Sequence, residues 1–128
     1  MPPYRKLIVV IDDDCSIRKA LERQIRAAGY RCESFASAED FLAVAKTCKA
    51  ACAVSDINLG GITGLQLTLH PVITGLNLPV VLITGSPDPM IELPAREIGA
   101  AFLRKPIFGH ELLDAIVDTV GPPIGESE

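Results

Sequence analysis

The chain has 128 residues, of which 48% are apolar and 22% charged, with a formal net charge of −4. That length suits one compact domain with its own core and is short for two, while the composition excludes disorder, collagen-like repeats and low-complexity sequence. The acidic balance argues against direct nucleic-acid binding, which needs a concentrated basic surface; apolar runs far below the ~18 residues that cross a bilayer argue against a membrane partner, and a cytoplasmic location is expected.

Leu7–Ile11 is a continuous apolar run, as expected of a parallel strand buried on both faces. From Ser16, Ile17, Ala20, Leu21, Ile25 and Ala28 recur at three- and four-residue steps and predict an amphipathic helix closed by Gly29. Arg31–Phe35 reads as a short polar strand at a sheet edge. Ser37-Ala-Glu-Asp40 has the form of a capping box, and Phe41, Leu42 and Ala45 continue a second helix. Ala51–Ser55 is a further buried strand, and Gly60, Gly61 and Gly64 mark a loop before a weak helix over Leu65–Ile73, which Pro71 breaks or kinks. Leu78–Ile83 predicts a strand with Pro79 near its start. Residues 88–98 predict a helix interrupted by Pro89 and Pro94, Ala101–Arg104 a short strand, and Leu112, Leu113, Ile116 and Val120 a last helix stopped by Gly121. Strands alternating with helices call for a parallel sheet covered on both faces.

Four cysteines, Cys15, Cys32, Cys48 and Cys52, include no Cys-x-x-Cys pair, and neither His70 nor His110 stands at ligand spacing from them. They are expected to be reduced and mostly structural. The chemistry lies elsewhere. In an open parallel sheet the carboxyl ends of the strands form one rim, where ligands bind. The first strand runs into Asp12, Asp13 and Asp14, the third into Asp56, the fourth into Thr84 and the fifth into Lys105 followed by Pro106. Clustered carboxylates suit a hard divalent cation such as Mg2+, which binds through one or two carboxylates and keeps waters for a phosphate to replace. A carboxylate beside it can attack phosphorus, a hydroxyl can donate to a phosphoryl oxygen, and an ammonium can neutralise another. Each group alone has an ordinary reading: Asp14 as a helix cap, Thr84 as packing, Lys105 as a solvated charge. Their conjunction at four strand ends is what is specific.

The stretches Val9–Arg18, Ser55–Gly64, Leu82–Gly85 and Phe102–Pro106 together resemble the receiver domain of two-component response regulators, the CheY-like superfamily. Ser37–Leu42 with Ile83-Thr-Gly85 looks closest to its FixJ-type branch. The resemblance implies an α/β, flavodoxin-like (βα)5 fold, a doubly wound five-stranded parallel sheet of order 2-1-3-4-5. It implies a receiver unit over residues 1–121, with 122–128 a Gly/Pro/acidic tail or the start of a linker. By position, Asp56 is the phosphoacceptor, Asp12, Asp13, Asp56 and the Asn58 backbone carbonyl hold Mg2+ or Mn2+, and Thr84 and Lys105 hold the phosphoryl group. Thr84 and Phe102 form the switch, and Pro106 is the cis-proline. The implied partners are a sensor histidine kinase or phosphotransfer protein and an output domain or downstream protein. The face built by the fourth and fifth helices and fifth strand carries the signal, and a homodimer is a further partner the family allows. Such a domain is a switch that assists its own phosphotransfer and dephosphorylation rather than an enzyme.

Two features depart from the family pattern: Gly60 replaces the proline usual four residues after the acceptor, and Pro71, Pro89 and Pro94 interrupt the third and fourth helices. Basic residues Arg18, Lys19, Arg23 and Arg26 on the first helix fit either a solvated face or an acidic partner. Two rival readings are a degenerate receiver acting as a binding module and a small Mg-dependent aspartyl phosphohydrolase. The latter commonly carries a second Asp where this chain has Asn58, and needs room for a cap domain.

Overall fold

The structure, a computed structural model, describes residues 5–57, 59, 61–85, 93, 97, 101–105 and 110–123. In chain order these form β1 (Leu7–Ile11), α1 (Cys15–Ala27), β2 (Arg31–Phe35), α2 (Ala38–Leu42), α3 (Ala45–Cys48), β3 (Cys52–Asp56), α4 (Gly64–Leu69), α5 (Pro71–Leu76), β4 (Val80–Thr84), β5 (Ala101–Arg104) and α6 (Glu111–Val120). The strands make one all-parallel sheet in the order β2-β1-β3-β4-β5, the flavodoxin-like arrangement expected.

β1, β3 and β4 are buried along their whole length, which explains why their sequences are apolar without alternation. Alternate residues serve opposite faces. Val9, Ile11, Ala53 and Leu82 join Ala38, Phe41, Leu67 and Ile73 beneath α2–α5, whereas Ile8, Val10, Val54 and Ile83 join Leu21, Ile25, Leu112 and Ile116 beneath α1 and α6. Among the described residues β2 pairs with β1 and lies at the edge of the sheet. Arg31 N–H donates to the Lys6 carbonyl at 3.0 Å and Asp12 N–H to the Phe35 carbonyl at 3.2 Å, so odd-numbered residues face β1. The Cys32 carbonyl faces out, where Arg26 Nη2 covers it at 2.8 Å and blunts the exposed edge.

The helix ends follow their capping residues. Asp14 accepts from the amides of Ser16 and Ile17, and Ser37 from that of Asp40. The second predicted helix divides in two, because the backbone leaves helical geometry at β-branched Val44 (φ −120°, ψ 1°). The third divides at Pro71: His70 is extended, as a residue before proline must be, and Pro71 opens a new helix where its missing amide costs nothing. The imidazole Nδ1 of His70 accepts the Val72 amide at 3.1 Å. Gly64 belongs to α4 rather than to the preceding loop, and β3 runs one residue further than its apolar run, through Asp56. Of the helix expected over 88–98, only Leu93 and Glu97 are described, and both are helical. Past α6, Gly121 accepts from the Tyr30 hydroxyl at 2.8 Å and the Pro123 carbonyl from Lys6 N–H at 2.8 Å, fastening this segment to the base of β1. Among the described residues no helix is long and apolar enough to cross a membrane.

Gly75 sits inside α5 with nothing within 4 Å of where a Cβ would stand. Its helix cost is therefore uncompensated within the fold, and Gly75→Ala is expected to raise stability by about 0.5–1 kcal/mol in urea denaturation.

The four cysteines are free, as expected. Burial pushes the thiols of Cys32 and Cys52 up to about 12, and burial with the hydrogen bond to Glu33 pushes Cys48 up to about 11. Cys15, first in α1, is exposed. A thiol reagent on the native protein is expected to modify Cys15 fastest, a reaction lost in Cys15→Ser; fast modification of Cys32 or Cys52 would contradict their buried placement.

Candidate functional site

The carboxyl ends of β1, β3, β4 and β5 carry their polar residues to one rim of the sheet. Asp12, just past β1, is 1% exposed; Asp56 and Thr84, the last residues of β3 and β4, are 7% and 1% exposed. Asp13 lies at the surface, and Lys105 follows β5 half-buried. Lys105 Nζ donates to Asp56 Oδ2 at 2.7 Å and stands 3.5 Å from Asp12 Oδ2, closing the span between first, third and fifth strands. Asp12, Asp13 and Asp56 each offer an oxygen, all within 4.8 Å of one another.

Each position is fixed by main-chain contacts. Asp12 Oδ1 accepts from the Asp14 amide at 2.9 Å, and its carbonyl accepts from Arg18 Nη1 at 2.7 Å. Buried Ser55 donates its hydroxyl to the Asp56 carbonyl at 3.0 Å. Lys105 N–H donates to the Thr84 carbonyl at 2.7 Å, tying the ends of β4 and β5 together. Thr84 and Phe102 share one face of the sheet, since Phe102 pairs with Leu82 and Arg104 with Thr84. Phe102 is partly buried against the cluster beneath α2–α5.

Burial pushes the Asp12 carboxyl above the usual carboxylate range; the Asp14 amide and the Lys105 charge offset this in part, and the charges of Asp56 and Asp13 add to it. Burial opposes the Lys105 ammonium, but the hydrogen bond and charge of Asp56, with Asp12, outweigh it and hold its pKa above the ordinary value. An acid whose folded pKa is raised stabilises the fold only when protonated, and that contribution is lost as pH rises through the folded pKa. The ionised pocket thus carries a cost that a bound cation relieves. Asp12 Oδ2 is buried and makes no hydrogen bond among the described residues, Lys105 Nζ standing 3.5 Å away. Asp12, Asp13 and Asp56 together form a set of three hard oxygen donors that fits Mg2+ or Mn2+.

Asp12, Asp13, Asp56 and Lys105 lie close together, and Thr84 ends β4 beside them with its carbonyl bonded to the Lys105 amide. Asn58, Gly60 and Pro106 lie outside the described residues. Sequence reasoning read Gly64 only as a loop glycine. A Cβ there would lie 2.5 Å from the Asp56 carbonyl oxygen, so only glycine lets the start of α4 lie against the end of β3. The cue in the sequence was a glycine directly after Thr63, whose hydroxyl and backbone form a reciprocal cap with Gln66.

A doubly wound sheet with an acidic pocket at its carboxyl rim defines a class of α/β domains that bind ligands at the strand ends. The profile of the response regulator receiver domain matches residues 8–117. Nodulation protein W of Bradyrhizobium diazoefficiens is 32% identical over 114 residues, 88% of this chain and 50% of that protein. Transcriptional regulatory protein FixJ of Azorhizobium caulinodans is 31% identical over 113 residues, 88% of this chain and 54% of that one. The chain thus spans about half the length of these curated relatives. Among solved structures, response regulator StyR superposes with a TM-score of 0.80 at 32% identity, over 91% of this chain and 60% of its own. A CheY-like receiver domain protein from Methanospirillum hungatei gives 0.82 at 25% identity, over 91% and 94%.

The chain belongs to the response regulator receiver domain family of two-component systems. Receiver domains are signalling switches, and a phosphorylatable aspartate and bound Mg2+ are typical of them.

Proposed function

We propose that Asp56 accepts a phosphoryl group from the phosphohistidine of a sensor histidine kinase or phosphotransfer protein. The observation that carries this reading is the placement of Lys105 Nζ between Asp56 Oδ2 and Asp12 Oδ2, at 2.7 and 3.5 Å. A carboxylate oxygen of Asp56 attacks phosphorus in line, the N–P bond breaks, and the imidazole leaves. Lys105 neutralises charge on the transferring group, and the Thr84 hydroxyl donates to one of its oxygens. Asp12, Asp13, Asp56 and the backbone carbonyl of Asn58 would hold Mg2+ or Mn2+. When bound, the cation neutralises charge on the acceptor and the phosphoryl oxygens.

The phosphorylated side chain draws Thr84 inward and vacates space for Phe102 on the same sheet face. This shifts a pre-existing equilibrium at the face of the fourth and fifth receiver helices and fifth strand, which addresses an output domain or downstream protein. Water later hydrolyses the acyl phosphate, so the domain assists its own modification and its reversal. The receiver unit is taken as residues 1–121, acting in the cytoplasm.

The protein incubated with Mg2+ and acetyl phosphate is expected to gain one phosphoryl group by intact mass, and Asp56→Asn to gain none. No adduct, with a competent receiver succeeding in parallel, would favour a binding module. Turnover of many phosphate esters per chain would favour a phosphohydrolase.

A further inference from the structure

The corner where β1 and β2 begin gathers arginines from three separate stretches of a chain whose formal charge is −4. A depression of about 450 Å3 there is lined by Arg5, Arg26 and Arg31, with Leu7, Cys32 and a single acid, Glu33. Two of the guanidiniums are oriented by main-chain carbonyls: Arg26 Nη2 donates to Cys32 at 2.8 Å, and Arg31 Nε donates to Arg5 at 2.9 Å. Glu22, one turn back along α1, braces Arg26 at 3.7 Å. The Arg5 side chain makes no hydrogen bond or ion pair among the described residues, so nothing in the fold calls for a cation at that place.

We infer that this corner is a binding site for a small ligand carrying a diphosphate or two closely spaced phosphates. Planar guanidinium forks match phosphate oxygens in pairs, and forks already held by carbonyls lose little freedom on binding. Arg5, Arg26 and Arg31 line the depression beside a single acid, Glu33, which suits an anionic ligand. The volume falls within the range of about 300–1,000 Å3 common to small-ligand sites. An acidic peptide would instead have to run along β2, whose outward Cys32 carbonyl Arg26 already covers. The site sits at the amino ends of β1 and β2, at the opposite end of the sheet from Asp56, so occupancy of the two can be read separately.

The test is a titration of 15N-labelled protein with inorganic pyrophosphate, in EDTA so that no divalent cation fills the acidic pocket. Amide signals of residues 26–33 are expected to shift saturably, while those of Asp12, Asp13, Thr84 and Lys105 stay in place. Arg5→Gln removes no hydrogen bond or ion pair among the described residues and is expected to weaken binding about tenfold; Arg5→Gln with Arg31→Gln abolishes it. Absence of saturable shifts, shifts confined to the acidic pocket, or unchanged affinity in the double variant would each overturn the site. A short polyglutamate peptide shifting the same amides at lower concentration than pyrophosphate would overturn the phosphate assignment.

Discussion

Gly64→Ala is expected to lower stability by about 1–3 kcal/mol and to impair phosphoryl gain at Asp56. An ideal Cβ at this position lies 2.5 Å from the Asp56 carbonyl oxygen and 3.0 Å from Ile57 Cα. Both are backbone atoms of the strand that carries the acceptor, so no side-chain rotation relieves the clash. Either α4 moves outward, straining the Gly64 N–H bond to the Ile57 carbonyl at 3.0 Å and loosening buried Leu67, or the end of β3 moves and takes Asp56 with it. Gly61 supplies the contrast. A Cβ there meets only the carboxylate of Glu39, a flexible chain end, and Gly61→Ala is expected to be tolerated. Urea denaturation and the rate of labelling by acetyl phosphate, run on both variants, check the argument; a Gly64→Ala protein matching the parent in both would show that the helix start yields freely.

Lys105→Met is expected to destabilise the divalent-free protein by about 2–3 kcal/mol, somewhat less than loss of one partner from a fully buried pair because part of Lys105 reaches solvent. Methionine keeps most of the stem's packing but leaves Asp12 and Asp56 as neighbouring carboxylates with no ammonium between them. Mg2+ should therefore raise the melting temperature of the variant more than that of the parent, since a cation bound only by the folded state adds stability by mass action. Acidification should also narrow the gap between the two proteins, because protonating Asp12, whose carboxyl burial holds above the usual range, removes the repulsion that lysine had balanced. Equal Mg2+ responses in parent and variant would mean that the ammonium and the metal-binding oxygens do not share one electrostatic pocket.

The sheet and its rim were legible because both rest on short-range rules. A strand buried on two faces must be apolar throughout, so Leu7–Ile11 and the core of β4 announce themselves, and parallel strands then place whatever follows them on one edge. That step alone set Asp12, Asp56, Thr84 and Lys105 at one rim of the sheet. Periodicity said less about where helices stop. Val44 interrupts a helix that the apolar spacing continues, and the position of Asp56 inside β3 depends on its register with Ile83 rather than on its own polarity. Gly64 was opaque for another reason: a glycine required by lack of space looks, in one dimension, like a glycine required by a turn. Its φ is not among the positive ones, which belong to Gly29 and Gly121. The arginine corner was equally hidden, since Arg5, Arg26 and Arg31 become neighbours only once β1, α1 and β2 are assembled.

The sheet also acts as a partition wall between two separately filled compartments. Thr84 and Phe102 open onto one of them, while α1 and α6 are rooted in the other. Volume changes on the α1–α6 side need not jam the movement of an aromatic ring on the far side, and repacking beneath α2–α5 need not disturb the surface of α1. Substitutions on α1 can thus accumulate among related proteins with little penalty to the packing on the opposite side of the wall.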